Sequence, residues 1–276
     1  HGFRLGELYL ITAGAGIGKS TIVNEIAYHL KMAHGLGLGV LALEENPARN
    51  ARRYLGIHLN RPLHLPEVHA ATSEEELSHA FEAVMGDGKW WIYDHFGSSD
   101  IDTLMSKLRY MAVGLGVKVI VLDHISIVVS GLDEEGESER KTIDKLMTRL
   151  RSLIEETGIM VLAVVHLKRT GGGSGKEGGK SYNEGKTVSL TDLRGSGSLE
   201  QISDVVIALE RDQQDETYPN LSTIRVLKNR PIGTTGKAGF VEYNKATGRL
   251  LPTTDPDEQA EGFGFANEEE TPTPVA

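Results

Sequence analysis

Three observations predict an α/β fold, a mostly parallel twisted sheet with helices on both faces. Short apolar runs alternate with segments of helical period along most of the 276 residues. The runs Val117–Leu122 and Ile159–Val165 are nearly all apolar and rich in β-branched residues, as strands covered on both faces must be. Residues Ala13–Ser20 read A-G-A-G-I-G-K-S between the apolar run Leu8–Ile11 and a helical pattern. That is the strand–turn–helix unit of a phosphate-binding loop.

Leu8–Ile11 is the first predicted strand. Thr21–Met32 predicts a helix with Ile22, Ile26, Leu30 and Ala33 on one face. Gly37–Leu43 leads a second strand into Glu44 and Glu45, and Pro47 opens a basic helical stretch through Arg49, Arg52 and Arg53. Ser73 and Glu76 form a capping box that starts a helix over Glu74–Val84. Trp90–Tyr93 is a short strand, Ile101–Val113 a helix and Val117–Leu122 a buried strand. Arg140–Glu156 is a helix with Ile143, Leu146, Leu150 and Leu153 in register, followed by the strand Ile159–Val165. Arg169–Lys186 holds seven glycines, so it is expected to bury no core and to be mobile. Val205–Leu209, Ser222–Leu227 and Gly239–Tyr243 predict three closing strands, antiparallel because their connections are short. Residues 1–251 read as one domain, and 252–276 as an acidic tail expected to be disordered.

Composition narrows the function. Hydrophobic residues at 39% and charged residues at 25% suit a globular chain. No stretch approaches the ~20 apolar residues of a membrane span, so no membrane partner is expected. No cysteine is present, which excludes disulfides and thiolate metal sites and accords with a cytoplasmic setting. The sequence starts at His1 rather than Met, so a piece of a longer protein is expected. A net charge of −10 argues against polyanion binding by the whole surface. Seven of the acids, however, lie from Pro252 onward, where there is no Lys or Arg. Between His166 and Val188 the balance reverses: Lys168, Arg169, Lys176, Lys180 and Lys186 face only Glu177 and Glu184. A basic glycine-rich loop is compatible with a polyanion at one surface.

The chemistry follows from strand ends. In the phosphate-binding loop, the backbone N–H groups of Ala13, Gly14, Ala15, Gly16, Ile17 and Gly18 surround an anion at a helix N-terminus. Lys19 reaches the β- and γ-phosphates, the Ser20 hydroxyl ligates Mg²⁺, and Thr21 begins the helix. Ala13 departs from the pattern G-x-x-x-x-G-K-[ST], whose first residue is glycine. Ligands of such sheets sit beyond the carboxyl ends of the strands, where Glu44, Asp123 and His166 close apolar runs. Asp123 has the form of a carboxylate holding Mg²⁺ through water, opposite Ser20. Glu44 is the candidate general base for an attacking water, with Glu45 its competitor. His166 is positioned to sense a γ-phosphate and connect it to the basic loop. Lys228 and Arg230 project to one side at a strand end, as cations delivered to a neighbouring subunit's phosphate would. For each, a solvated or capping role is the alternative.

Six motifs in order resemble the hexameric DnaB-like replicative helicases: Glu44 after the second strand, L-D-H-I-S at 122–126, V-V-H-L at 164–167, D-L-R-G-S-G-S-L at 192–199, I-A-L-E-R at 207–211 and V-L-K-N-R at 226–230. The chain looks most like the helicase half of podoviral bifunctional primase–helicases, with mitochondrial Twinkle more distant, from about Gly6 to Leu251. The resemblance does not require glycine at 13. It implies a RecA-like fold in a homo-hexameric or heptameric ring, with ATP or dTTP and Mg²⁺ at subunit interfaces and single-stranded DNA in the channel. It further implies NTP-driven 5′→3′ translocation and duplex unwinding, in the cytoplasm of a phage-infected bacterium.

By matching position, Arg211 and Tyr243 sandwich the nucleotide base, Gln201 couples nucleotide to DNA, and Arg230 is an in-trans arginine finger beside Lys228. Lys168, Arg169, Lys176, Lys180, Arg194 and Gly195 line the DNA channel. Glu200 departs from the podoviral pattern, which has Arg there. The acidic tail resembles the polymerase-binding tail of podoviral helicases in charge only. A RecA- or RadA-type recombinase, and a P-loop assembly switch that binds no DNA, remain the competing readings.

Overall fold

The computed structural model describes residues 2–42, 45–93, 101–126, 139–168, 180–195 and 197–255. Among these, nine strands form one sheet: β1 Leu8–Ala13, β2 Leu38–Ala42, β3 Trp90–Ile92, β4 Val119–Asp123, β5 Met160–His166, β6 Val205–Glu210, β7 Leu221–Asn229, β8 Gly236–Asn244 and β9 Arg249–Thr253. Their order is β3-β2-β4-β5-β1-β6-β7-β8-β9. The first six run parallel and the last three are added antiparallel.

Strand alternation divides the core in two. Leu8 and Leu10 of β1 and Val161, Ala163 and Val165 of β5 face one layer. It is built from α5 (Ile101–Arg109) and α6 (Glu139–Thr157). Tyr9, Ile11 and Ala13, with Leu162 and Val164, face the other. That layer is α1 (Lys19–His34), α2 (Pro47–Leu59) and α4 (Glu74–Met85). A short α3 (Pro66–Ala71) links α2 to α4. The doubly wound sheet expected from the alternating pattern is therefore present.

Three expectations need correction. Val205–Glu210 pairs with β1 in parallel, not antiparallel. The chain reaches it by a long crossover from β5 that includes α7 (Gly197–Ile202), and of the three strands so predicted only β7 and β8 follow short connections. The buried face of α1 is Ile22, Val23, Ala27 and Leu30, whereas Ala33 is exposed. The helix also buries Lys31, whose ammonium donates to Asp87 at 2.7 Å. The helix predicted over 101–113 is α-helical only to Arg109. A π turn over Tyr110–Gly114 then keeps Met111 and Ala112 in the core. The sequence pattern does not reveal β9, whose apolar content is too short to show a period.

Candidate nucleotide and nucleic-acid site

The carboxyl ends of the central strands lie together. Register aligns Ala42 with Asp123, and Ala13 with both His166 and Leu209. Ala13 is the last residue of β1, is 1% exposed, and belongs to the core beneath α1. Its methyl group fills space in an extended backbone, so glycine is not required there. The chain turns after it, and Gly18, at φ +116°, occupies the left-handed cap of α1 where a side chain would be strained. Gly14, Ala15, Gly16 and Ile17 form the loop between. Lys19 Nζ donates to the carbonyls of Ala13 and Gly14, both at 3.0 Å, so the ammonium is anchored over the loop. Ser20 and Thr21 occupy the first turn of α1, where their hydroxyls lie beside the helix N-terminus.

Asp123 closes β4, and the peptide that joins it to His124 is cis. The rings of His124 and His166 meet edge to face with centroids 3.9 Å apart. His124, 5% exposed, is thus a buried neighbour of His166 that strand-end reasoning passes over, although it stands in the quoted L-D-H-I-S segment. Glu44 lies outside the described residues. Its competitor Glu45 is bound by Arg53: Arg53 Nε donates at 2.8 Å and a second guanidinium nitrogen also donates, with Arg49 at 3.6 Å. Burial pushes the Glu45 carboxyl up, but the Arg53 hydrogen bond and the charges of Arg53, Arg49 and His64 outweigh it and hold the group below its usual range. A carboxylate so engaged is a poor proton acceptor.

A cationic cavity opens beside α1, lined by Thr21, Arg53, His64, Tyr243 and Arg249 among others. Arg211, at the end of β6, donates to Pro219 O at 2.6 Å and Asn220 Oδ1 at 2.9 Å, and Asn220 O accepts from Tyr243 N at 3.0 Å. The two residues expected to sandwich a base are therefore held to one connector. Burial draws the Arg211 guanidinium below its usual range, opposed by Tyr243.

The basic residues fall into two groups. Lys168 and Arg194 flank the exit from β5: Lys168 N donates to Asp192 O and Arg194 N to His166 O, both at 2.8 Å. Gly195 follows at φ +127°, and a Cβ there would lie 2.8 Å from Ile143 Cδ1. Lys180 stands apart, 3.7 Å from Asp212. Arg169 and Lys176 lie outside the described residues. The expectation that Arg169–Lys186 buries nothing fails at its end, because Tyr182 is 8% exposed and packs with Val188 and Ala208.

Lys228 and Arg230 are held by their own chain. Lys228 Nζ donates to Ser203 O at 2.6 Å and to Glu200 O, and Arg230 to Gln201 O. These carbonyls close α7, the helix that follows Arg194–Gly195. Gln201 thus meets both cations through its backbone, while the residue itself is exposed. Arg230 Nη1 also lies 3.6 Å from buried Asp204.

The donor set suits Mg²⁺. Among the described residues no cluster of three His, Asp or Glu side chains forms a cage. One hydroxyl and one strand-end carboxylate are hard oxygen donors of the kind this ion combines with waters and phosphates.

The family model described as DnaB-like helicase C terminal domain matches residues 1–249. The DNA helicase/primase of Enterobacteria phage T3 is 43% identical over 265 residues, which are 95% of this chain and 45% of that protein. The replicative DNA helicase DnaB of Leifsonia xyli is 25% identical, over 83% of this chain and 49% of that protein. The chain therefore spans about half the length of these relatives. Among solved structures, a DnaB-like replicative helicase superposes with a TM-score of 0.71 at 20% identity, covering 91% of this chain and 58% of that one. It is similar in fold.

Proposed function

Because the chain belongs to the family of DnaB-like helicase C-terminal domains, we propose that it is the motor of a phage-type replicative DNA helicase. It hydrolyses ATP or dTTP, moves 5′→3′ on single-stranded DNA and unwinds the duplex ahead. The observation that carries this reading is one shared location. The phosphate loop, Asp123 and His166 end neighbouring parallel strands, and the basic segment leaves the sheet directly after His166.

The roles follow from position. Backbone N–H groups of Gly14–Gly18 and the Lys19 ammonium bind the β- and γ-phosphates. Ser20 and Asp123 hold Mg²⁺, which neutralises phosphate charge when bound. Glu44 takes the proton of the attacking water, since Glu45 is committed to Arg53 and Arg49. Arg211 and Tyr243 enclose the base. Lys168, Arg169, Lys176, Lys180, Arg194 and Gly195 follow the DNA backbone, giving sequence-tolerant, salt-sensitive binding. His166 reports γ-phosphate to that surface, and Gln201 reports from α7.

Arg230 and Lys228 act on the nucleotide of the adjacent copy in a six- or seven-membered ring. In the single chain both rest on the carbonyl end of α7, an attractive site for cations. The acidic tail offers a contact for a replicative polymerase, and the setting is the cytoplasm of an infected bacterium.

Steady-state hydrolysis with increasing oligo-dT tests the reading. Turnover is expected to rise with the oligonucleotide at about 50 mM salt and to need far more of it at about 200 mM, because each neutralised phosphate contributes about −0.7 to the salt slope of single-strand binding. Turnover indifferent to oligo-dT at both salts contradicts a DNA motor and favours an assembly switch.

A further inference from the structure

The turn that ends the basic segment is seated on the phosphate loop. Ser181 O accepts from Glu184 N at 3.0 Å and Lys186 N at 3.1 Å, and Ser181 N donates to the Glu184 carboxylate at 2.7 Å. Residues 181–186 are thereby closed on themselves. This shape presents Asn183 to Gly14: a Cβ built on Gly14 would lie 2.5 Å from Asn183 Oδ1 and 3.0 Å from Tyr182 Cβ. Only glycine lets the two segments come so near. On the loop's other limb, Gln213 Nε2 donates to Gly16 O at 3.3 Å, while Gln213 N donates to Asn183 O at 2.9 Å. Two linked amide residues therefore bridge the phosphate loop.

The same turn is tied to the start of the basic segment. Lys186 Nζ lies 3.6 Å from the Asp192 carboxylate, and burial, with Asp192 nearby, pushes the Tyr182 phenol up to about 12. Asp192 O in turn accepts from Lys168 N at 2.8 Å. Lys168 and Lys186, at the two ends of the segment, thus meet at Asp192.

We propose that Asn183, supported by Gln213, is a positioning residue that couples the phosphate loop to the DNA-binding segment within one subunit, by a route separate from His166. The proposal rests on the nucleotide and DNA reading given above. A phosphate that draws the N–H groups of Gly14–Gly18 around itself reshapes the surface on which Asn183 sits. A strand bound at Lys168 and Lys180 bears on the same turn through Asp192 and Asp212. Two ligands biasing one element are coupled, and the coupling is reciprocal. Asn183 touches neither ligand.

The test is the affinity of the full chain for fluorescein-labelled oligo-dT, by anisotropy, with and without a β,γ-imido NTP analogue. In the wild type the analogue is expected to tighten binding by a factor in the usual range of about 5–150. Asn183→Ala is expected to bind oligo-dT normally without analogue, melt at the wild-type temperature, and show a factor near one. Tyr182→Phe, which keeps the packed ring and removes the hydroxyl, is expected to reduce the factor in the same direction. An undiminished factor in both variants overturns the proposal while leaving the DNA reading intact. A wild type that binds no oligo-dT with or without analogue overturns that reading and the proposal with it.

Discussion

At the residue scale, its environment sets Glu45 apart from the expected role of general base. Sequence places Glu44 at the close of the apolar run as the candidate base, with Glu45 beside it as a competitor. What distinguishes Glu45 is a helix start away: Arg49 and Arg53, one and two turns into the basic stretch after Pro47, converge on it. That convergence depends on the angle at which α2 leaves the strand, which no periodicity encodes. Glu44→Gln is expected to bind nucleotide normally and to lose hydrolysis by the roughly 10²–10⁴-fold that a positioned base contributes. Full turnover in this variant would transfer the role to Glu45. The pH dependence has a definite sign. The Glu45 carboxyl is held below its usual value, so its pairing with Arg53 stabilises the fold fully above the ordinary carboxylate range and is lost as pH falls through the lowered pKa. In Arg53→Ala, burial acts with less opposition, so the Glu45 titration followed by carboxyl NMR should move upward; an unchanged titration would refute the pairing.

At the element scale, patterning locates most of the sheet and its helices. The capping box before α4 is present as read: Ser73 Oγ accepts from Glu76 N at 3.2 Å and Ser73 N donates to the Glu76 carboxylate at 3.2 Å. The four leucine and isoleucine positions read on the helix after 140 are all buried in α6. Local signals suffice for both, because caps and stripes are formed by neighbours in sequence. The direction of β6 is not legible, since it depends on where a long crossover returns. Tyr182–Asn183 is hidden for a related reason: its glycine-rich, polar surroundings look like a linker, and what it packs on is distant in the chain. Gly195 carries a similar long-range constraint, with positive φ and Ile143 in the place of a side chain. Gly195→Ala is expected to lower stability to urea by about 1–3 kcal/mol, the usual range for a strained backbone position. Unchanged stability would show that α6 yields freely there.

At the scale of the whole molecule, the phosphate loop and the cation pair stand at opposite ends of the sheet, since Asn229 pairs with Val205 at the start of β6. Lys19, Asp123 and His166 belong to one set of strand ends. Lys228 and Arg230 leave the sheet elsewhere and rest at the end of α7. Strand-end spacing reveals the pair and its common orientation, but not the carbonyls that hold it. If these cations complete a neighbour's site, a strand bound at Arg194–Gly195 in one subunit influences hydrolysis in the next through α7. The most direct measurement is to titrate Arg230→Ala into the wild-type protein at constant total concentration, with saturating oligo-dT, and follow NTP turnover. Loss of an in-trans arginine costs about 10³–10⁵ in rate, so each variant subunit should silence its neighbour and turnover should fall faster than the wild-type fraction. Turnover that declines only in proportion to that fraction would mean that each chain hydrolyses alone, contrary to the shared site.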